Sequence, residues 1–61
     1  MKQFEFFIYE DREERTGQYI GMQKTEYVYA ETMQEAEQKF DKQVWSKYPW
    51  AMGYWLLGEK K

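Results

Sequence analysis

The sequence predicts a small α+β domain of order strand, strand, helix, strand: a three-stranded sheet, spatial order 2-1-3, with one helix packed on one face. Three observations predict it. The first segment is apolar on both of its alternating faces, a Tyr-rich run of β type follows a polar loop, and a capped helix signal is followed by a last aromatic run. The chain, residues 1–61, reads as a single domain with no repeat, low-complexity segment or linker.

Residues 2–9 are Lys-Gln-Phe-Glu-Phe-Phe-Ile-Tyr. Phe4, Phe6 and Ile8 alternate on one face, and Phe7 and Tyr9 lie on the other beside Glu5. A strand apolar on both faces belongs in the middle of a sheet. Residues 10–17, all polar until Gly17, read as an exposed loop. Strand two covers about 19–30, with Val28 and Ala30 at even positions and Tyr19, Thr25, Tyr27 and Tyr29 at odd ones.

Thr32-Met33-Gln34-Glu35 is a capping box: the Thr hydroxyl takes the Glu35 amide, and the Glu35 carboxylate returns to the Thr32 amide. Met33, Ala36, Phe40 and Val44 then recur at spacings of three and four and form one apolar face. Glu35 and Glu37 near the start, and Lys39, Lys42 and Lys47 later, match the helix dipole. Pro49 disfavours a helical Tyr48 and ends the helix near that point. A last strand spans about 52–58, followed by the polar tail Glu59, Lys60 and Lys61. The right-handed crossover rule sets this strand parallel to strand two and beside strand one, which is the central place its two-faced pattern requires.

A chain of this length buries only about 60% of the surface its unfolded form exposes, so its core is marginal. With no Cys and no His, disulfides and Cys/His zinc sites are excluded together, and no metal or cofactor is expected. Self-association is the remaining external support. Four Phe, six Tyr and three Trp supply much area per residue, but one sheet and one helix cannot hide thirteen rings.

The same composition argues against catalysis. The commonest general base and the thiol nucleophile are both absent. The carboxylate pairs Glu10-Asp11 and Glu13-Glu14 fall in the solvated loop, not in a cleft that would shift a pKa. Ser46 has no base beside it, and the four glycines form no phosphate loop. No run approaches the roughly 20 apolar residues of a membrane span, and the N-terminus lacks a signal-peptide pattern, so a cytoplasmic protein without membrane contact is expected.

Binding surfaces are the alternative. If Phe4, Phe6, Ile8 and Val28 face the helix, then Phe7, Tyr9, Tyr27 and Tyr29 face away, joined from strand three by either Tyr54 or Trp55. Such a patch marks an interface unless the sheet curls or the loop folds back over it. Trp45 lies off the apolar face of the helix. Together with Trp50 it either closes the end of the core against strand three or supplies interface anchors. With Trp55, these residues form the candidate protein-binding set.

A third feature is acidic. Net charge is −2, yet residues 1–38 carry nine acids against four bases and residues 39–61 carry two against five. Glu10, Asp11, Glu13, Glu14, Glu31 and Glu35 are the candidate acidic surface, read either as a solvated face or as carboxylates spaced to imitate DNA phosphates. The charge split makes nucleic acid the less expected partner.

The strand ending Tyr27-Val28-Tyr29-Ala30, followed by Glu31-Thr32-Met33-Gln34-Glu35-Ala36, resembles the strand-to-capped-helix junction of small phage and mobile-element proteins. The element order, with an acidic loop between two Tyr-rich strands, is similar to that of the phage inhibitors of uracil-DNA glycosylase. The resemblance implies an acidic homodimer that inhibits a host DNA-handling or defence protein by DNA mimicry, and anti-CRISPR proteins fit the same class. The sequence thus predicts a non-catalytic inhibitor or modulator that binds protein. The alternatives are a single-stranded nucleic-acid binder stacking bases on Phe7, Tyr9, Tyr27 and Tyr29, and a homo-oligomeric accessory subunit.

Overall fold

A computed structural model describes residues 1–60 of the protein. The elements are β1 (Lys2–Arg12), β2 (Tyr19–Ala30), α1 (Met33–Lys47) and β3 (Gly53–Glu59). They form the expected α+β arrangement, with sheet order β2-β1-β3. β1 is antiparallel to both neighbours, so β2 and β3 run in the same direction.

The core lies between the sheet and α1. β1 contributes Phe4, Phe6 and Ile8, β2 contributes Val28 and Ala30, and α1 contributes Ala36, Phe40 and Val44. Phe6 and Phe40 stack with centroids 4.1 Å apart, and Tyr54 meets Phe40 edge-on at 5.0 Å. Tyr48, Trp50, Ala51 and Leu56 are packed around this centre. Met33, expected on the buried face, is 51% exposed. Helical side chains tilt toward the N-terminus, so that of the first residue projects past the start of the helix.

The helix begins as its cap predicts, with the Thr32 hydroxyl accepting the Glu35 amide at 3.2 Å. The second half of the capping box is replaced, because the Glu35 carboxylate turns to Lys39, one turn on, at 3.2 Å. At the other end the Tyr48 amide donates to the Val44 carbonyl, and Pro49 begins the turn into β3.

Two strand bounds depart from those expected. β1 does not stop at Tyr9: Asp11 pairs with Ile20 and Arg12 with Tyr19, so the loop shrinks to 13–18. Backbone pairing with β2 continues after the apolar side chains end, and the charged side chains there face water. Between Tyr9 and Asp11 the register slips, leaving Gly21 and Met22 opposite Glu10. Gly21 takes φ 81° at this bulge, a conformation natural to glycine, and the Glu10 carboxylate accepts the Met22 amide at 2.8 Å. A second slip lies between Glu5 and Phe6, which pair with Gly58 and Leu56, so Leu57 is extra in β3. β3 therefore includes Glu59; Lys60 adds a hydrogen bond to the Gln3 carbonyl, and Lys61 lies outside the described residues.

Candidate functional site: the helix-free face of the sheet

Strand alternation fixes which side chains leave the core. With Phe4, Phe6 and Ile8 buried under α1, Glu5, Phe7 and Tyr9 point to the opposite face. Tyr27 stands opposite Glu5 and Tyr29 opposite Gln3 on β2. On β3, Tyr54 pairs with Ile8 and Trp55 with Phe7, so Trp55 joins the face and Tyr54 goes to the core. α1 covers the other side.

The rings form a connected cluster. Phe7 and Tyr9 lie 6.4 Å apart, and Tyr9 stacks toward Trp55 at 6.5 Å and 24°. Tyr19 lies 5.0 Å from both Phe7 and Tyr9, brought in from the far arm of the hairpin where the bulge bends β2. Tyr9 is seated on Gly53: a Cβ there would sit 2.5 Å from the Tyr9 hydroxyl. Tyr19 shields Phe7 and Tyr9, which are half-buried. Tyr27 (39%), Tyr29 (57%), Trp55 (46%) and Leu57 (57%) remain exposed. The sheet thus curls over part of the face and leaves the rest open. Tyr19 and Leu57 are the members that sequence reasoning misses. The bulge at Gly21 separates Tyr19 from Tyr27 and Tyr29 and breaks their shared numbering, while Leu57 depends on a bulge with no signal beyond the neighbouring Gly58.

Charges on this face are few and mutually engaged. Lys60 Nζ lies 4.6 Å from the Tyr27 ring centroid and donates to its hydroxyl, which in turn donates to Glu5, both at 3.4 Å. The Arg12 guanidinium lies 5.7 Å from the Tyr19 ring centroid.

The other candidate residues lie elsewhere. Trp50 is half-buried on the core rim, edge-on to Tyr48 at 5.5 Å, and so closes the end of the core. Trp45 is exposed on α1, 5.9 Å from Tyr54. Tyr54 also borders a shallow depression with Gln34, Glu37, Gln38, Asp41 and Lys42. Its hydroxyl donates to Asp41 at 3.0 Å, and burial, reinforced by that carboxylate, pushes its pKa up to about 12.

The candidate acids do not form one surface. Glu10, Asp11, Glu13 and Glu14 gather with Arg12 and Arg15 at the hairpin tip, whereas Glu31 and Glu35 lie beyond the opposite end of β2. Folding also lays the lysine-rich second part of the chain on the acidic first part. Glu26 accepts from Lys47 at 2.6 Å and from the Tyr48 hydroxyl, and these hydrogen bonds, Lys47's first, lower its pKa. The charge split along the sequence is therefore partly cancelled in space.

Among the described residues, no group of three or more acidic, His or Cys side chains is placed to hold a metal, and no helix is long and apolar enough to cross a membrane. Comparison with protein-family models, with curated proteins and with solved structures finds no match to this chain.

Proposed function

We propose that the protein is a non-catalytic binding module that presents the helix-free face of its sheet to a protein surface. The observation that carries this is the gathering of Phe7, Tyr9, Tyr19, Tyr27, Tyr29 and Trp55 on the face that α1 leaves bare, with Tyr27, Tyr29 and Trp55 exposed. Each such ring offers about 150–250 Å² when buried, and monomeric proteins rarely leave contiguous apolar patches above a few hundred Å² in water. Aromatic residues with few charges are also the composition of interface centres. Glu5 within the face and the carboxylates at the hairpin tip disfavour a phosphate backbone as the partner.

Inhibition by charge mimicry is a second reading, and the grouping of Glu10, Asp11, Glu13 and Glu14 at an exposed tip favours it. Affinity capture from a bacterial lysate separates the two. The sheet-face reading expects bound protein to be lost with Tyr27→Ala/Tyr29→Ala and kept when Glu13 and Glu14 are reversed to Lys. Capture unaffected by the Tyr pair would overturn it.

A further inference from the structure

We infer that β2 pairs along its free edge with β2 of a second copy, antiparallel about a two-fold axis at Thr25, so that two sheets join into one. The inference concerns the edge of the sheet and goes beyond the role proposed for its face, which stays uncovered.

Backbone hydrogen bonding fixes which groups that edge offers. The β1 carbonyls of Gln3 and Tyr9 accept from Lys60 and Met52, on the β3 side. Odd-numbered residues of β1 therefore turn their amides and carbonyls to β3, while Phe4, Phe6 and Ile8 turn theirs to Val28, Glu26 and Lys24 of β2. Alternation leaves Gln23, Thr25, Tyr27 and Tyr29 with theirs directed outward. The Tyr29 carbonyl accordingly accepts from outside the sheet, from Lys39 of α1 at 3.2 Å. Lys39 closes the edge at one end, and the bulge at Gly21 breaks it at the other. The open stretch between them is Gln23 to Tyr27, and Thr25 is its centre. The other edge strand, β3, is shorter and is interrupted by its own bulge at Leu57.

A two-fold axis there sets Thr25 against its own copy and Gln23 against its partner's Tyr27, each pair exchanging backbone hydrogen bonds. Lys24 then stands opposite its partner's Glu26 at a non-hydrogen-bonded site, where side chains are closest. Charges on an edge strand ordinarily deter pairing. Lys24 and Glu26, flanking the axis with opposite signs, instead make the strand self-complementary. Moving the axis by one residue sets Lys24 on Lys24 or Glu26 on Glu26, so charge selects the register. Glu26 has room for a second lysine, because Lys47 and Tyr48 both donate to its Oε2 and leave Oε1. Lys24 has no ion pair among the described residues. The axis is perpendicular to the sheet, so both helices lie on one side and both bare faces on the other. The exposed rings of two chains then share one broader surface.

Sedimentation equilibrium from low to high micromolar concentration tests the proposal, with circular dichroism confirming that each variant folds. Wild type is expected to dimerise. Thr25→Pro removes an amide that β1 does not use and weakens the dimer roughly tenfold or more. Lys24→Glu weakens it as well, and adding Glu26→Lys restores it, since the exchanged charges again face opposite ones. The chain has no cysteine, so a single introduced one reports the register. Under mild oxidation with diamide, Thr25→Cys is expected to form an intermolecular disulfide, because hydrogen-bonded partners lie about 5.5 Å apart at Cα. Gln23→Cys, with its two copies roughly 14 Å apart, is not. A wild type that stays monomeric at high micromolar concentration overturns self-pairing. A dimer indifferent to Thr25→Pro overturns the β2 edge as its seat, and Gln23→Cys cross-linking as fast as Thr25→Cys overturns the register.

Discussion

Glu26 shows how one carboxylate joins distant parts of the chain. It lies on β2, yet its side chain accepts from Lys47 at the end of α1 and from Tyr48 just past it. Those donors favour its charged form, and its pKa falls below the ordinary value of 4.5. A carboxylate depressed in the folded state contributes stability that is fully present above the unfolded pKa and is lost as pH falls through the folded one. Urea midpoints followed downward from neutral pH are therefore expected to decline below about pH 5, with Glu26→Gln removing part of that decline. An unchanged acid limb in Glu26→Gln would show that the pair makes no net contribution, as many exposed ion pairs do. This contact was illegible in the sequence, which shows Glu26 and Lys47 only as members of oppositely charged halves. The residues of the core were legible, because Phe4, Phe6, Ile8 and Phe40 announce themselves by period.

At the scale of the elements, period and caps were enough for the order and for most bounds, while bulges were not. The two-sided apolar pattern of β1 forced it to the centre, and the crossover rule then placed β3. The adjacent rings Tyr54 and Trp55 left the register of β3 open, since a shift by one residue exchanges the two faces. The partner strand resolves it, by pairing Ile8 with Tyr54 and Phe7 with Trp55. Gly53 is part of the same solution: lacking a Cβ, it lets the Tyr9 ring lie across β3 toward Trp55. Gly53→Ala is expected to push that ring off the strand, costing about 1 kcal/mol of cross-strand aromatic contact. Near-UV circular dichroism should change while the far-UV spectrum of the sheet and helix persists. Retention of the wild-type near-UV signal would mean that Tyr9 has another seat.

For the whole molecule, the decisive property is that a two-layer fold has three faces to satisfy and only two of them packed. One helix and one side of the sheet bury eight of the described residues, and the remaining side displays rings that a monomer leaves in water. The thirteen aromatic residues already signalled this surplus, but which of them stay out is set by register, by the bulge at Gly21 and by the curl that draws Tyr19 inward. If a second copy extends this sheet at the β2 edge, folding and association are linked, and thermal stability must depend on concentration. Each tenfold rise in protein then adds about 1.4 kcal/mol per dimer, which for a domain of this size moves the melting midpoint by a few degrees. Thr25→Pro is expected to abolish that dependence. Calorimetry over a hundredfold range of concentration reads both effects, and a wild-type midpoint that does not move with concentration would place the fold's stability within the single chain.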